Sequence, residues 1–401
     1  MIDAISITLL VATGLYIAIA VAFTLGLFRS PVRTARQENP PPFVSVVIAA
    51  RNEADQIGPC LEGLIRQTYP SDRFEVLVVN DGSQDQTAQI VSDYTGPESN
   101  IYGLDVGSAF PDLAAKKRPM SVGIEAARGD IILTTDADCR PLPTWISGMV
   151  ACFQPDVGAV IGFSQLKLPG SPLTFFERLQ ALDFLALMSA AAGAANLGVP
   201  LAASGQNLAY RKTLFERVGG FREIGHRPSG DDVLLLQLMR KAKSGRIVFA
   251  THPETFISTW RSESPTGFWQ QRKRWASNAP VQFRLNPPFF AYIASIFLIN
   301  LLAPVGLLTG WTWFGGNLAL CCWIGKALAD TLVICRAARR FGRTDLLFLL
   351  PVWECLQVPY TILIGLAGSL GRFTWKGRQH AARIRRFQHT HREREQPDAA
   401  M

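Results

Sequence analysis

The sequence predicts an α/β domain with a mostly parallel sheet, flanked by helices that cross a membrane. Three observations carry this. Short apolar runs alternate with amphipathic segments from Phe43 to about Val281. Long, almost uncharged apolar stretches lie before and after that region. Two of the apolar runs end abruptly in carboxylates, Asp81 after FEVLVVN and Asp136 after IILTT. Hydrophobic residues make up 48% of the 401 and mean hydropathy is +0.15, both high for a wholly soluble chain.

Residues 1–30 hold the first membrane helix, since Ile5 to Phe28 is apolar and long enough to span a bilayer. No basic residue precedes the run, which argues against a signal peptide. Arg29, Arg33 and Arg36 follow it and hold that end in the cytoplasm. Residues 31–42 are a linker ending in the stiff NPPP of Asn39 to Pro42.

Residues 43–281 form the α/β domain. FVSVVIAA and FEVLVVND read as buried strands, each followed by an amphipathic helix, and Ser83 is the expected N-cap of the second. Such alternation gives a parallel sheet covered on both faces. Two amphipathic segments, about 172–198 and 264–280, are expected at the membrane surface. The first reads equally well as a core helix, because Glu177, Arg178 and Asp183 are its only charges.

Residues 282–371 form a second membrane region, with spans near Phe289–Leu308, Trp311–Cys335 and Leu346–Leu370. Pro351, Glu354, Gln357 and Pro359 in the last are awkward in lipid. Three full crossings would also put the basic tail, 372–401, outside the cell. The last segment therefore reads as broken, re-entrant or interfacial. The tail carries eight Arg or Lys between Arg372 and Arg394, and its place after apolar helices marks a cytoplasmic membrane flank. No nucleic-acid partner is expected. The seven cysteines, without a CxxC pair, suggest a reducing compartment and no zinc site.

Several polar clusters fit one chemistry. Asp136 and Asp138, as D-x-D at a strand end, can hold a divalent cation shared with a diphosphate, Mg²⁺ or Mn²⁺ by ligand preference. Asp81, in VVNDGSQDQT, suits a nucleoside, and Glu53, in AARNEAD, would point into the same cleft. Lys116, with Lys117 and Arg118, stands ahead of a helix where cations meet phosphates. Asp231 and Asp232 would open another helix, as caps or as a general base. Gln271, Arg274 and Trp275 form Q-x-x-R-W, an arginine to clamp a diphosphate and a ring to stack on a sugar.

In order, VVIAARNE, QTYP, VVNDGSQDQT, TTDADCRP, GQNLAYRK, VGGF, GDD and QQRKRW resemble the family 2 glycosyltransferases over roughly Phe43 to Asn278. The flanking apolar segments point to the membrane-embedded branch, with the cellulose, hyaluronan and poly-N-acetylglucosamine synthases and the ceramide glucosyltransferases. The resemblance implies a GT-A fold, a nucleotide-sugar donor (UDP-linked in the first instance), and inversion by single displacement. It also implies a polysaccharide or membrane-lipid acceptor at the cytoplasmic face of a bacterial inner or plasma membrane. It assigns Glu53, Asp81, Lys116 and Asp136 to the donor, Asp136 and Asp138 to Mg²⁺ or Mn²⁺, and Gln271, Arg274 and Trp275 to diphosphate and acceptor. Asp232 becomes the base, with Asp231 its near rival because GDD replaces the commoner TED or GED. Asn80 stands where many members have a second Asp.

Overall fold

A computed structural model describes residues 4–29, 40–167, 172–259, 263–309, 317–370, 372–375 and 378–381. Most of the 31–42 linker and most of the basic tail lie outside the described residues. The strands are β1 (Val44–Ala50), β2 (Phe74–Asn80), β3 (Ile101–Asp105), β4 (Ile131–Asp136), β5 (Cys139–Pro141), β6 (Val157–Gly162), β7 (Ser164–Leu166), β8 (Leu208–Arg211), β9 (Arg246–Ala250) and β10 (Ile257–Thr259). The helices are α1 (Ala4–Phe28), α2 (Ala54–Ile65), α3 (Thr87–Asp93), α4 (Lys117–Ala126), α5 (Trp145–Val150), α6 (Phe175–Asn196), α7 (Lys212–Arg217), α8 (Val233–Ala242), α9 (Pro265–Ala276), α10 (Ala279–Leu285), α11 (Pro287–Thr309), α12 (Asn317–Phe341) and α13 (Leu350–Leu370).

Seven strands form the main sheet in the order β3-β2-β1-β4-β8-β6-β9. β1 and β2 are buried along almost their whole length because helices cover both faces. The sheet is mixed: β3, β2, β1 and β4 run parallel, while β8 runs antiparallel to both β4 and β6. Register decides where the site lies. Ala50 pairs with Asn80 and Ala49 with Asp136. The carboxyl ends of β1, β2 and β4 therefore stop at one edge, and the loops carrying Glu53, Asp81 and Asp138 leave from it.

Four helical stretches are long and apolar enough to cross a membrane. α1 packs on α6, α11 and α12. α1 and α6 approach so closely that a Cβ on Gly26 would enter the backbone of Gly193, and a Cβ on Gly193 would enter that of Phe23. Asn196 Nδ2 donates to Gly26 O and Arg29 O, 3.1 and 3.2 Å, satisfying carbonyls that a helix end leaves open. Most of α6 is buried, including Leu182, Leu185, Ala191 and Ala192, so this helix joins the sheet to the long apolar helices.

The spans differ in detail from expectation. The second span, expected to end at Cys335, continues to Phe341 as α12, so the basic run Cys335–Arg343 lies mostly within it. Its arginines reach the α/β domain: Arg340 Nη2 donates to Thr251 Oγ1 at 2.6 Å and Arg343 Nη1 to Leu166 O at 3.0 Å. α13 returns to that domain at both ends. The turn Thr344–Leu349 before it packs on α6. Near its far end a Cβ on Gly368 would lie 3.0 Å from Lys273 O of α9. The polar residues of α13 are partnered: Glu354 Oε2 is 2.7 Å from Lys326 Nζ, and Gln357 Nε2 donates to Asp183 Oδ1 of α6 at 3.3 Å.

Candidate active site

A cavity of about 1000 Å³ lies beyond the carboxyl edge of the sheet and runs on between α6, α11 and α13. All ten residues singled out in the sequence line it: Glu53, Asp81, Lys116, Asp136, Asp138, Asp231, Asp232, Gln271, Arg274 and Trp275.

Two loops build the end of the cavity that Glu53 and Asp81 line. Asn52 adopts a left-handed backbone, φ 52°, which Asn tolerates better than most residues. Its Oδ1 accepts from Gln84 N at 2.8 Å, and its own N–H donates to Ser83 Oγ at 3.1 Å. Ser83 thus ties the loops together and does not cap α3, contrary to expectation. Thr87 N at the start of α3 donates instead to Asp85 Oδ1, 3.0 Å. Arg51 Nη1 donates to Asp81 O at 2.9 Å and lies 3.3 Å from its Oδ2. Asn80 Nδ2 donates to Asp105 Oδ1, 2.8 Å.

Lys116 joins the two acidic groups in the centre. Its ammonium pairs with Asp136 and lies 3.6 Å from Asp231 Oδ2. Burial opposes the charge on Lys116, but the Asp136 and Asp231 carboxylates outweigh it, so the lysine stays protonated. The neighbouring cations serve elsewhere. Lys117 Nζ donates to Arg227 O and Ser229 O, and burial pushes its pKa down to about 8. Arg118 donates to Ala109 O and Gly107 O.

Asp232 caps α8, accepting from Val233 N at 2.6 Å and from Gly205 N at 3.1 Å. Burial, and then the charge of Asp231, push its carboxyl above the usual range. Burial also acts on Asp231, but Lys116, Lys117 and Arg274 together outweigh it and hold that carboxyl low. The adjacent acids are thus driven apart, one firmly ionised and the other poised to take a proton.

Asp136 and Asp138 offer carboxylates to one space. Among the described residues no group of three or more His, Cys, Asp or Glu forms a metal cage. Two carboxylates, one of them also paired with Lys116, match the oxygen ligands that Mg²⁺ or Mn²⁺ shares with a diphosphate. Cys60, behind them, is no nucleophile, since burial pushes its thiol up to about 12.

α9 presents Gln271, Arg274 and Trp275. Ser264 caps it, accepting from Gly267 N at 3.2 Å, with Pro265 in the first turn. Arg272, buried behind the motif, fixes its aim. It pairs with Asp183 Oδ2 at 2.7 Å and donates to Gln271 Oε1 at 2.8 Å. Its guanidinium also lies 4.2 Å from the Trp275 ring centroid.

Residues 45–218 match Glycosyl transferase family 2. These residues are a family 2 glycosyltransferase domain. Glycosyltransferase AglE of Haloferax volcanii is 33% identical over 197 residues, 48% of this chain and 59% of AglE. Probable glycosyltransferase YdaM of Bacillus subtilis is 28% identical over 256 residues, 62% of this chain and 58% of YdaM. The chain thus spans a little under three fifths of either relative. An N-acetylglucosaminyltransferase of Sinorhizobium fredii is 28% identical over 295 residues, 68% of each chain. The fold is the GT-A-like one. Mannosyltransferase PcManGT from Pyrobaculum calidifontis, solved with GDP-Man and Mn²⁺, shares it at TM-score 0.59, 18% identity and 91% coverage of this chain and 98% of that one.

Around the cavity, sequence reasoning missed Arg51, Gly205 and Arg272. Arg51 stands in the quoted AARNEAD and Gly205 in GQNLAYRK, so both could have been found. Arg272 occupies a variable position of Q-x-x-R-W, and its partner Asp183 lies 89 residues away; no local signal connects them.

Proposed function

We propose that the chain is an inverting glycosyltransferase of the membrane-embedded branch. It moves a sugar from a nucleotide sugar to a hydroxyl of a polysaccharide or membrane lipid at the cytoplasmic face. One observation carries this reading: the strand-end acids, the Asp231–Asp232 pair and Q-x-x-R-W line a single cavity that continues into the apolar helices. The nucleoside lies along Asp81, Glu53 and Arg51. Lys116 and Arg274 meet the diphosphate. Mg²⁺ or Mn²⁺, held by Asp136 and Asp138, would neutralise charge on the departing diphosphate. The acceptor oxygen bonds to the anomeric carbon as the carbon–oxygen bond to the diphosphate breaks. Asp232 takes the hydroxyl proton, and its raised pKa suits that task. Arginines 29, 33 and 36, and those closing α12, support the cytoplasmic assignment.

The test offers UDP- and GDP-linked sugars to the full chain with either metal and native membrane lipid. Nucleotide release and nucleotide binding are measured separately. The reading expects metal-dependent release from at least one donor. Binding without release from any donor would favour a membrane-anchored, non-catalytic sugar-nucleotide binder.

A further inference from the structure

We propose that the acceptor is a lipid with a neutral hydroxyl head, its hydrocarbon chain lying in the groove between α6, α11 and α13. This rests on the transfer site assigned above. A volume of about 1000 Å³ is at the top of the range for a single ligand site, leaving room beside a sugar nucleotide. Past the acids the walls are Phe184, Met188, Ile293, Ile296, Phe297 and Ile364. Leu187 and Leu366 also line the cavity and remain 46% and 49% exposed, so the groove opens to the surroundings of the membrane helices through apolar side chains. A glycan would need a polar partner for each ring hydroxyl along such a path. Thr361, one of the few hydroxyls there, already donates to Gln357 Oε1 at 3.3 Å. A hydrocarbon chain needs no such partners.

The head group follows from the charges. Where the groove meets the catalytic end it passes Glu263, Asp231 and Asp232. An anionic phosphate head would face three carboxylates, while Lys116 and Arg274 are engaged with the donor diphosphate. A neutral hydroxyl meets no such opposition and has the proton that Asp232 is placed to accept. Gly365 sets the groove's width: a Cβ there would lie 2.9 Å from Cδ2 of Phe297.

The experiment gives the purified full chain a radiolabelled donor and a lipid extract of source membranes, split by anion exchange into neutral and anionic fractions. Soluble oligosaccharides are offered in parallel. Label entering the neutral fraction is the expected result. Label only in anionic lipid or in oligosaccharide overturns the proposal, as does nucleotide release without any labelled lipid. Failure to release nucleotide from any donor would instead defeat the glycosyltransferase reading. With the labelled lipid in mixed micelles, Gly365→Leu should raise its KM at least tenfold and move the donor KM less than twofold. Ala294→Leu, on the opposite wall, repeats the test should the first variant fold poorly. Shortened analogues should lose roughly fourfold in kcat/KM per methylene removed from the groove. Unchanged lipid KM in both variants, or no dependence on chain length, overturns the groove.

Discussion

The molecule contains two clusters built from the same parts, one lysine between two carboxylates. In the cleft Lys116 lies between Asp136 and Asp231. Among the long apolar helices Lys326 Nζ lies 2.8 Å from Asp330 Oδ2 and 2.7 Å from Glu354 Oε2. The cleft pair keeps 15% and 33% of its side-chain surface open, whereas Lys326 and Glu354 keep 2% and 6%. The first cluster lines the large cavity. The second is closed by Tyr16, which donates to Asp330, and by Trp353, whose ring centroid is 5.7 Å from Lys326 Nζ. Identical chemistry thus has different uses according to space. Open charges can exchange partners with a ligand, while enclosed charges fasten α1, α12 and α13 together.

Four substitutions can break or sharpen that contrast. Asp232→Asn should lower kcat about 10³-fold, within the range for losing a general base, while nucleotide Kd changes little. Steady-state kinetics and nucleotide titration check it, and near-normal turnover would remove Asp232 from the mechanism. Lys326→Met should cost about 3–5 kcal/mol, because it leaves two carboxylates enclosed without their cation. Thermal unfolding measures this, and kcat per folded molecule should hold. A loss of turnover with unchanged Tm would give the membrane cluster a chemical role and end the comparison. Asp231→Asn should move the acid limb of kcat/KM to lower pH. The charge of Asp231 helps hold the Asp232 pKa up, and the base works only when ionised, so relieving that charge lets it act in more acid solution. A limb that stays put or rises would contradict this. Asn80→Asp should have the smallest effect, about 1 kcal/mol of stability. It exchanges the amide that donates to Asp105 for a like charge. Equilibrium unfolding would reveal a neutral or stabilising outcome, which would dismiss Asn80 as that donor.

Much of the cleft was legible in the sequence because its residues sit at ends of elements. A buried parallel strand must stop at its carboxyl edge, so Asp81 and Asp136 declared their position through the apolar runs before them. Asp232 did so through the helix it opens. Strand direction was less visible: LAYR of β8 reads like any short buried strand, and only its pairing with β4 and β6 shows that it runs the other way. Partners across long separations were not legible at all. Ser83 looked like a cap because its loop partner Asn52 belongs to another segment. Glu354 and Gln357 looked misplaced in lipid because Lys326 and Asp183 reach them from other helices. Arg272 was hidden between the motif positions that it orients.

The claim on which the mechanism depends is direct displacement, with Asp232 the one base at the reacting carbon. Proton NMR of the first-formed product from an α-linked donor, recorded during turnover, tests it most directly. The account predicts a β-configured anomeric proton. An α product would contradict it, because a single in-line displacement must invert the anomeric carbon.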